Sequence, residues 1–230
     1  MKKKIIILTG AGISAESGLK TFRDADGLWE GYNIEDVATP EAWKRDPALV
    51  QQFYNERRKA VLAAQPNAAH LALNKLEEKF EILIITQNID DLHERAGSKA
   101  VMHLHGEITF SRSSKNSALL YKIEGDSIEM GALCELGSQL RPHVVWFGEA
   151  VPMITKAMHE MSKAEIVILI GSSLAVYPAA GLLELVKSTV PIYVVDPKIP
   201  NVNLSNPIIK IQEKASIAIP LLVAKLLENE

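Results

Sequence analysis

A glycine-rich segment directly follows the first apolar run of the chain, Ile5–Leu8. It opens with Gly10-Ala11-Gly12, and five residues separate Gly12 from Gly18. A glycine-rich turn between a strand and a helix lets backbone amides approach a pyrophosphate at the helix N-terminus. The segment therefore predicts a phosphate-binding loop, with a tight turn that binds no ligand as the alternative. Its spacing differs from the G-x-G-x-x-G of hydride-transferring dehydrogenases, which disfavours that class of enzyme.

Polar side chains follow a second apolar run, Ile82–Ile85. Asn88 and Asp90 come shortly after it, and ligands bind at the carboxyl ends of strands in open α/β sheets. His105 follows a short predicted strand that begins at Val101, and an imidazole that titrates near neutrality is suited to general-base catalysis. A histidine taken alone is more often a surface or core residue than a catalyst. That interpretation holds for the other five histidines, which are His70, His93, His103, His143 and His159.

Five short runs are apolar at every residue, which is typical of strands buried on both faces of a parallel sheet. These runs are Ile5–Leu8, Ile82–Ile85, Val144–Trp146, Ile166–Ile170 and Ile192–Val195. The segments with helical patterning are Asn67–Lys79, Ala179–Lys187 and Ile219–Leu227. Strands that alternate with helices predict an α/β fold with a Rossmann-like doubly wound parallel sheet.

Two stretches interrupt this alternation. Residues 33–66 are rich in proline, charge and aromatic side chains, and contain a predicted helix from Pro47 to about Ala63. Residues 108–140 are polar and rich in serine. We predict that the two insertions form a small second lobe. The Rossmann-like domain would then consist of residues 1–32, 67–107 and 141–230.

The composition limits the classes of protein and partner. The chain has 230 residues, of which 47% are hydrophobic and 23% charged, and its formal net charge of −3 excludes a broadly basic nucleic-acid surface. The first apolar run is shorter than the roughly 7–15 residues of a signal peptide, and no apolar stretch reaches the roughly 20 residues needed to span a bilayer. A single cysteine, Cys134, fits a reducing compartment. We expect a cytoplasmic monomer with neither nucleic-acid nor membrane partners.

Longer blocks give these local patterns a common interpretation. The glycine segment continues into Phe22-Arg23, and further blocks follow at Thr86-Gln87-Asn88-Ile89-Asp90, His105-Gly106, Val145-Trp146-Phe147-Gly148-Glu149 and Gly171-Ser172-Ser173-Leu174. In this order the blocks resemble the signatures of the sirtuin family over nearly the whole chain. The resemblance implies an enzyme that consumes NAD to remove acyl groups from lysine side chains of other proteins. The implied products are nicotinamide and O-acyl-ADP-ribose.

The resemblance also implies roles for individual residues. His105, Asn88 and Asp90 would be catalytic, with His105 deprotonating a ribose hydroxyl. Phe22 and Arg23 would lie on a loop that shields the cofactor from water. The implied cofactor-binding set is Gly10, Ala11, Gly12, Glu16, Phe22, Arg23, Gln87, Asn88, Ile89, Asp90, Gly171, Ser172, Ser173, Asp196 and Ala215. The hydroxyls of Ser172 and Ser173 could equally cap the next helix.

The expected substrate-binding residues are Tyr54, Arg57, Ala38, Val145, Phe147 and Gly148. Tyr54 and Arg57 are three positions apart in the predicted helix and share one face of it. The pair resembles that of the sirtuins that prefer malonyl- and succinyl-lysine, and an arginine can bind a carboxylate with two hydrogen bonds. Ala38 would leave room for the longer acyl chain. The alternative is a solvated helix face, because Arg58 and Lys59 are adjacent.

The chain departs from the common family pattern between residues 107 and 140. Most sirtuins carry a structural zinc there on two cysteine pairs, whereas this interval holds only Cys134 and no histidine. A tetrahedral zinc site needs four good ligands, so we expect no structural zinc. Packing would then have to hold the lobe together, with candidates Leu119, Leu120, Tyr121, Ile123 and Ile128. Asp196 is the remaining candidate for the adenine ribose, because Val194 lacks the polar side chain often found there.

Two other functions use the same residues. A mono-ADP-ribosyltransferase would pass ADP-ribose to a protein nucleophile. A sensor would bind NAD or ADP-ribose without turnover, although a binding module has no need of the base that His105 would supply.

The cysteine count predicts that the purified protein contains no stoichiometric zinc. Elemental analysis should find well under one zinc per chain, and EDTA should leave the melting temperature unchanged. One zinc per chain, with a melting temperature that falls in EDTA, would contradict this prediction.

Overall fold

The computed structural model describes residues 2–20, 28–29 and 31–229 of the 230-residue chain. The strands are β1 (Lys4–Thr9), β2 (Leu28–Trp29), β3 (Tyr32–Asn33), β4 (Glu81–Thr86), β5 (Val101–His103), β6 (Gly106–Ser113), β7 (Leu120–Lys122), β8 (Leu140–Val144), β9 (Ile166–Ile170), β10 (Ile192–Val195) and β11 (Ile208–Ile211). The α-helices are α1 (Ile34–Val37), α2 (Pro40–Arg45), α3 (Pro47–Ala63), α4 (Ala68–Leu73), α5 (Leu92–Arg95), α6 (Ile154–Met161) and α7 (Ala215–Glu228). Short 3-10 helices span Ala11–Ile13, Ala15–Ser17, Asn74–Glu78 and Ala179–Leu185.

A six-stranded parallel sheet forms the centre of the fold, in the order β11-β10-β9-β1-β4-β5. Alternate residues of β1 face opposite sides of this sheet, so Ile5 and Ile7 pack into one core and Ile6 and Leu8 into the other. Burial on both faces explains the unbroken apolar run of the sequence. The predicted α/β class is confirmed.

The structure differs from the predicted strands in two places. Val144–Trp146 is not a strand of the parallel sheet, because its first residue ends β8, which belongs to an antiparallel sheet of order β7-β6-β8. β11 was not predicted from the sequence, and each of its residues is at least partly exposed. A run of apolar residues does not by itself indicate which sheet a strand joins, and a half-exposed edge strand gives a weak signal.

The predicted helices are present with different bounds or geometry. The helix over Pro47–Ala63 is confirmed as α3. Residues 67–79 form the short helix α4 followed by a 3-10 helix, and Leu71 is exposed while Leu73 and Leu76 are buried. The helix predicted over Ala179–Lys187 is a 3-10 helix that ends at Leu185. The last helix begins at Ala215 rather than at Ile219.

Apolar packing and polar contacts together hold the antiparallel sheet against α3. Of the five apolar side chains expected to pack there, only Ile128 is buried, and Leu120 is exposed. The buried Arg58 instead donates from Nε to the Ile108 carbonyl at 2.7 Å and from Nη1 to the Asn55 side chain at 2.7 Å. Gln51 donates to the Ile128 carbonyl at 2.9 Å. The expected apolar packing is supplied by other residues, since Ile108 and Val144 of the sheet lie in one buried cluster with Val50 and Phe53 of α3, and the hydrogen bonds to backbone carbonyls add to it.

Within residues 2–20, 28–29 and 31–229, no group of three or more His, Cys, Asp or Glu side chains could hold a metal ion. In the same part of the chain no helix is long and apolar enough to cross a membrane. The absence of zinc stays a prediction, as do the boundaries of the two lobes.

Replacing Arg58 should weaken the attachment of the antiparallel sheet. Burial lowers the pKa of Arg58 to about 10, so the guanidinium still carries its charge at neutral pH. Arg58→Gln removes a charged donor from the buried Ile108 carbonyl, and we expect the free energy of unfolding to fall by about 2–3 kcal/mol. Lys59→Gln changes the adjacent exposed residue and should move it by no more than about 0.5 kcal/mol. Equal urea midpoints for the two variants would show that Arg58 does not hold the sheet.

Candidate active site

The register of the parallel sheet brings three chain segments together at one edge. β1 pairs with both β4 and β9, so Thr9 lies opposite Thr86 on one side and Ile170 on the other. The Thr9 hydroxyl donates to the Thr86 hydroxyl at 2.8 Å. Beyond the strand ends, the Gln87 amide donates to the Thr9 carbonyl at 2.9 Å and the Gly10 amide to the Ile170 carbonyl at 3.0 Å. The segments that begin at Gly10, Gln87 and Gly171 therefore start side by side.

The glycines allow two of these segments to touch backbone to backbone. A Cβ on Gly12 would lie 2.6 Å from the Gly171 Cα, and one on Gly10 would lie 2.8 Å from the Gly171 carbonyl oxygen. Gly171 itself has φ +61°, a left-handed conformation that favours glycine. The Gly12 amide donates to the Gly171 carbonyl at 2.9 Å. Close approach of the two loops is thus the physical requirement for glycine at all three positions.

The chain after the glycines differs from the predicted strand-to-helix turn. The amides of Gly10 and Gly12 donate to the carbonyls of Ile170 and Gly171. No α-helix follows directly, because the described residues after Gly10 form the 3-10 helices Ala11–Ile13 and Ala15–Ser17. Ala11 is the first residue of the first of these. The strand before the glycines is present as predicted, whereas the chain after them forms two short 3-10 helices and not the expected α-helix.

Ser14 links the two polar residues that follow β4. Its hydroxyl donates to the Asp90 carboxylate at 3.0 Å and accepts from the Asn88 side-chain amide at 3.1 Å. The three side chains are buried. Asn88 and Asp90 thus both bond to Ser14, a residue of the glycine segment for which no role was predicted. The available signal was its position between Gly12 and Gly18 in the segment that follows β1.

Burial raises the pKa of Asp90, and three neighbours oppose that effect. The Leu92 amide donates to the carboxylate at 3.2 Å, Ser14 donates to it, and His103 contributes a nearby positive charge. A buried carboxylate needs such partners to stay ionised.

His105 is oriented by a backbone carbonyl. Its Nδ1 lies 2.9 Å from the Gln87 carbonyl oxygen, and because a carbonyl only accepts, Nδ1 carries the proton. The neutral ring therefore has its lone pair on Nε2. Burial lowers the pKa of His105, and the bond to Gln87 partly offsets that effect. The ring is accordingly an unprotonated base at neutral pH.

Other predicted cofactor residues line the same sheet edge. The Gln87 side chain donates to the Ser172 hydroxyl at 3.0 Å, and the Leu174 amide donates to the same hydroxyl at 3.3 Å. Ser172 is buried and Ser173 is exposed. Asp196 follows β10, is buried, and accepts from the Lys198 amide at 2.8 Å.

Glu16 reaches the first turn of α7, next to Ala215. The Glu16 carboxylate accepts from the Ser216 amide at 3.0 Å and from the Ser216 hydroxyl at 2.6 Å. Ser216 follows Ala215, the first residue of α7, so Glu16 lies at the N-terminus of that helix. Negative charge there is stabilised by the helix dipole. Phe22 and Arg23, the remaining cofactor candidates of the sequence, lie outside the described residues.

The predicted substrate residues join His105 to the helical insertion. The Val145 amide donates to the His105 carbonyl at 2.9 Å, and the Phe147 amide donates to the Ala38 carbonyl at 3.0 Å. Ala38 is buried, Phe147 is exposed, and Gly148 has φ +90°. The segment 145–148 therefore spans from the base to the insertion.

Tyr54 and Arg57 lie on the inner side of α3. Tyr54 is fully buried, and its ring centroid is 6.4 Å from that of Trp146. Arg57 is half-buried, with its guanidinium carbon 5.8 Å from the Phe53 ring centroid. Burial raises the pKa of Tyr54, and the nearby positive charge of Arg57 offsets part of that increase. The alternative of a solvated helix face is wrong for Tyr54, and the phenol and guanidinium are close enough to interact.

Comparisons with known proteins agree on one family. A family model described as the Sir2 family matches residues 10–178. An "NAD-dependent protein deacylase" of Helicobacter pylori is 50% identical over 226 residues, which cover 98% of this chain and 98% of the relative. A solved Sir2 homolog–NAD complex is 39% identical with a TM-score of 0.89, covering 99% of this chain and 91% of the other. A Sir2 homologue solved with 2′-O-acetyl ADP ribose is 38% identical with a TM-score of 0.89, covering 99% and 93%.

Proposed function

This chain belongs to the Sir2 family, the sirtuins, and on that basis we propose that it is an NAD-dependent protein-lysine deacylase that prefers succinyl- and malonyl-lysine. The proposed products are the free lysine, nicotinamide and O-acyl-ADP-ribose. One observation carries the catalytic part of the proposal. The Gln87 carbonyl holds a proton on Nδ1 of His105 and so leaves Nε2 as the basic nitrogen, and Gln87 lies one residue before the buried Asn88 and three before the buried Asp90.

The donors and acceptors of the sheet edge fit NAD. Asp90 is a buried carboxylate beside Ser14 and Asn88, a set that suits the carboxamide of nicotinamide and the adjacent ribose. The buried Ser172 and Asp196 follow neighbouring strands and suit the adenosine half. When bound, NAD supplies the ribose carbon that takes the acyl oxygen and the nicotinamide that leaves.

The residues of the chain then have separate tasks. His105 accepts a proton from a ribose hydroxyl at Nε2, which is available because Nδ1 bonds to Gln87. Asn88 and Asp90 orient the reacting end of the cofactor, with Ile89 beside them. Ile89 is nearly buried and packs in the same apolar cluster as Tyr54, so cofactor and acyl sites adjoin. We also propose that Phe22 and Arg23 exclude water from this end.

The proposed preference for acidic acyl groups rests on the charge and depth of the acyl site around Tyr54 and Arg57. Tyr54, Ala38 and Trp146 belong to one apolar cluster, and Arg57 lies one helical turn after Tyr54. An acyl chain in this cluster would bring its terminal carboxylate to the guanidinium and the phenol. Arg141 packs its guanidinium 3.1 Å from the Trp146 ring centroid, but it pairs with Glu149 at 2.7 Å, so a carboxylate of the protein already matches its charge. An acetyl group is too short to use the charge of Arg57.

Two other functions remain as outcomes of the test. Mono-ADP-ribosyl transfer would leave ADP-ribose on protein, and a sensor would bind NAD without product. Mass spectrometry of acetyl-, malonyl- and succinyl-lysine peptides incubated with enzyme, with and without NAD, separates the three. The proposal requires deacylated peptide and O-acyl-ADP-ribose only with NAD, and inhibition by nicotinamide. Equal turnover in NAD-free buffer would refute it.

Removing the guanidinium should change the acyl preference. Arg57→Met should lower kcat/KM for succinyl- and malonyl-lysine about 10- to 150-fold, because a hydrogen bond to a charged group contributes roughly 1.5–3 kcal/mol. Acetyl-lysine turnover should change only a few-fold, since that substrate has no carboxylate. Tyr54→Phe should show the same selectivity at smaller size.

The exposed Lys59 provides a matched control on the same helix. Lys59→Met should leave all three substrates within about twofold of wild type, since an exposed side chain makes few contacts. Parallel losses of acetyl and succinyl turnover in Arg57→Met would refute the acyl preference and leave the deacylase assignment intact.

A further inference from the structure

Two histidines, His103 and His105, bond to two consecutive carbonyls of the active-site segment. His105 Nδ1 lies 2.9 Å from the Gln87 carbonyl oxygen, and His103 Nδ1 lies 2.9 Å from the Asn88 carbonyl oxygen. Because carbonyl oxygens only accept, both Nδ1 atoms carry protons. The difference between the two rings therefore lies at Nε2.

His103 Nε2 faces a carboxylate. It lies 2.8 Å from Glu94 Oε1, and the His103 side chain is 7% exposed against 39% for Glu94. An ionised carboxylate is also only an acceptor, so this contact requires a proton on Nε2 as well. With both nitrogens protonated, His103 is an imidazolium. His105, two residues later, is a neutral base.

The surroundings of His103 favour that charge. Burial alone lowers its pKa, but the bond to Glu94, the charge of Glu94, the Asn88 carbonyl and the charge of Glu107 together raise the pKa above its usual value. The Asp90 carboxylate also interacts with it. Two other histidines face it and stay neutral, because burial lowers the pKa of His93 well below its usual value and that of His143 to about 4. Lys99 and Lys156 line the groove that reaches the same side chain.

One ring thus joins both ends of the segment that carries Ile89 and Asp90. At the start of the segment, the Asn88 carbonyl accepts from His103 Nδ1. At its end, in α5, Glu94 accepts from His103 Nε2. A neutral imidazole has one N–H and cannot make both bonds. Loss of the second proton would therefore release one end of the segment.

We propose that the Glu94–His103 ion pair is a positioning device for the active site, which fixes the segment 88–94 and keeps a positive charge beside the buried Asp90. The inference rests on the proposed function for its kinetic consequences, though not for its geometry. His103 does not touch the reacting atoms and acts through Asn88 and Asp90. Among the six histidines of the chain it thus has a role distinct from that of the base.

The pH dependence follows from the direction of the shift. The bond to Glu94 is complete while His103 is protonated, and it is lost as pH rises through the raised pKa of the ring. We therefore expect the KM for NAD to increase as pH rises through the raised pKa of His103. His105 has the opposite effect, because it must lose its proton to act, so it produces the acid limb of the profile.

The decisive test combines an NMR titration with kinetics. With imidazole carbons labelled, His103 in the wild type should titrate above the usual value of about 6.5 for histidine. Glu94→Gln should move that titration to lower pH and carry the basic limb of the NAD KM with it. His103→Gln should raise the KM for NAD about tenfold at neutral pH and abolish the basic limb, while kcat changes less.

The control variant is His159→Gln, which changes an exposed histidine of α6. It should leave both the titration of His103 and the pH profile unaltered. A His103 that titrates at or below the usual value, or a basic limb that persists unchanged in Glu94→Gln and His103→Gln, would overturn the proposal. The NMR arm needs no turnover, so an inactive wild-type protein would refute the deacylase function without deciding the ion pair.

Discussion

The hydrogen bond between the hydroxyls of Thr9 and Thr86 marks the register on which the active site depends. It lies where β1 and β4 both end, and the next residues of each chain segment lead into Ser14 and into Asn88 and Asp90. The Thr9 hydroxyl also contacts the buried His93 at 3.1 Å, and the Asn88 amide donates to the Thr86 hydroxyl at 3.0 Å. A shift of one residue would turn every side chain to the other face and separate Ser14 from Asp90. The apolar strands are thus the source of the site's geometry, although none of their side chains takes part in the chemistry.

Beyond the strand ends, buried polar groups decide protonation. Desolvation by itself lowers the pKa of both His105 and His103. The hydrogen-bond partners of each ring then decide whether its net pKa is lowered or raised. His105 meets a carbonyl and remains a base, whereas His103 meets a carbonyl and a carboxylate and holds a charge. The pKa of Asp90 is raised by burial and lowered in part by that charge. Asp90 and His103 therefore influence each other's protonation, whereas the pKa of His105 follows from its burial and from the Gln87 carbonyl.

The sequence predicted those parts of the fold that depend on local pattern. The parallel strands at Ile5–Leu8 and Ile166–Ile170 are fully apolar, and α3 begins with proline after the Asp46 cap. The contacts between the two insertions could not be predicted in this way, because Gln51 and Ile128 are 77 positions apart and Arg58 and Ile108 are 50 apart. Neither Ser14 nor His103 was predicted from the sequence to belong to the site, for a related reason. A hydroxyl in a glycine loop and one histidine among six gain meaning only from their partners across the sheet.

The measurement that bears most directly on the account is the rate of NAD-dependent deacylation by His105→Ala. With succinyl-lysine peptide and saturating NAD, followed by mass spectrometry, the rate should fall at least about 10²-fold, the scale of lost general-base catalysis. The dissociation constant for NAD, measured by calorimetry, should stay within a few-fold of wild type, because the ring acts after the cofactor is bound. A near-wild-type rate in this variant would contradict the assignment of His105 as the base and the account built on its tautomer.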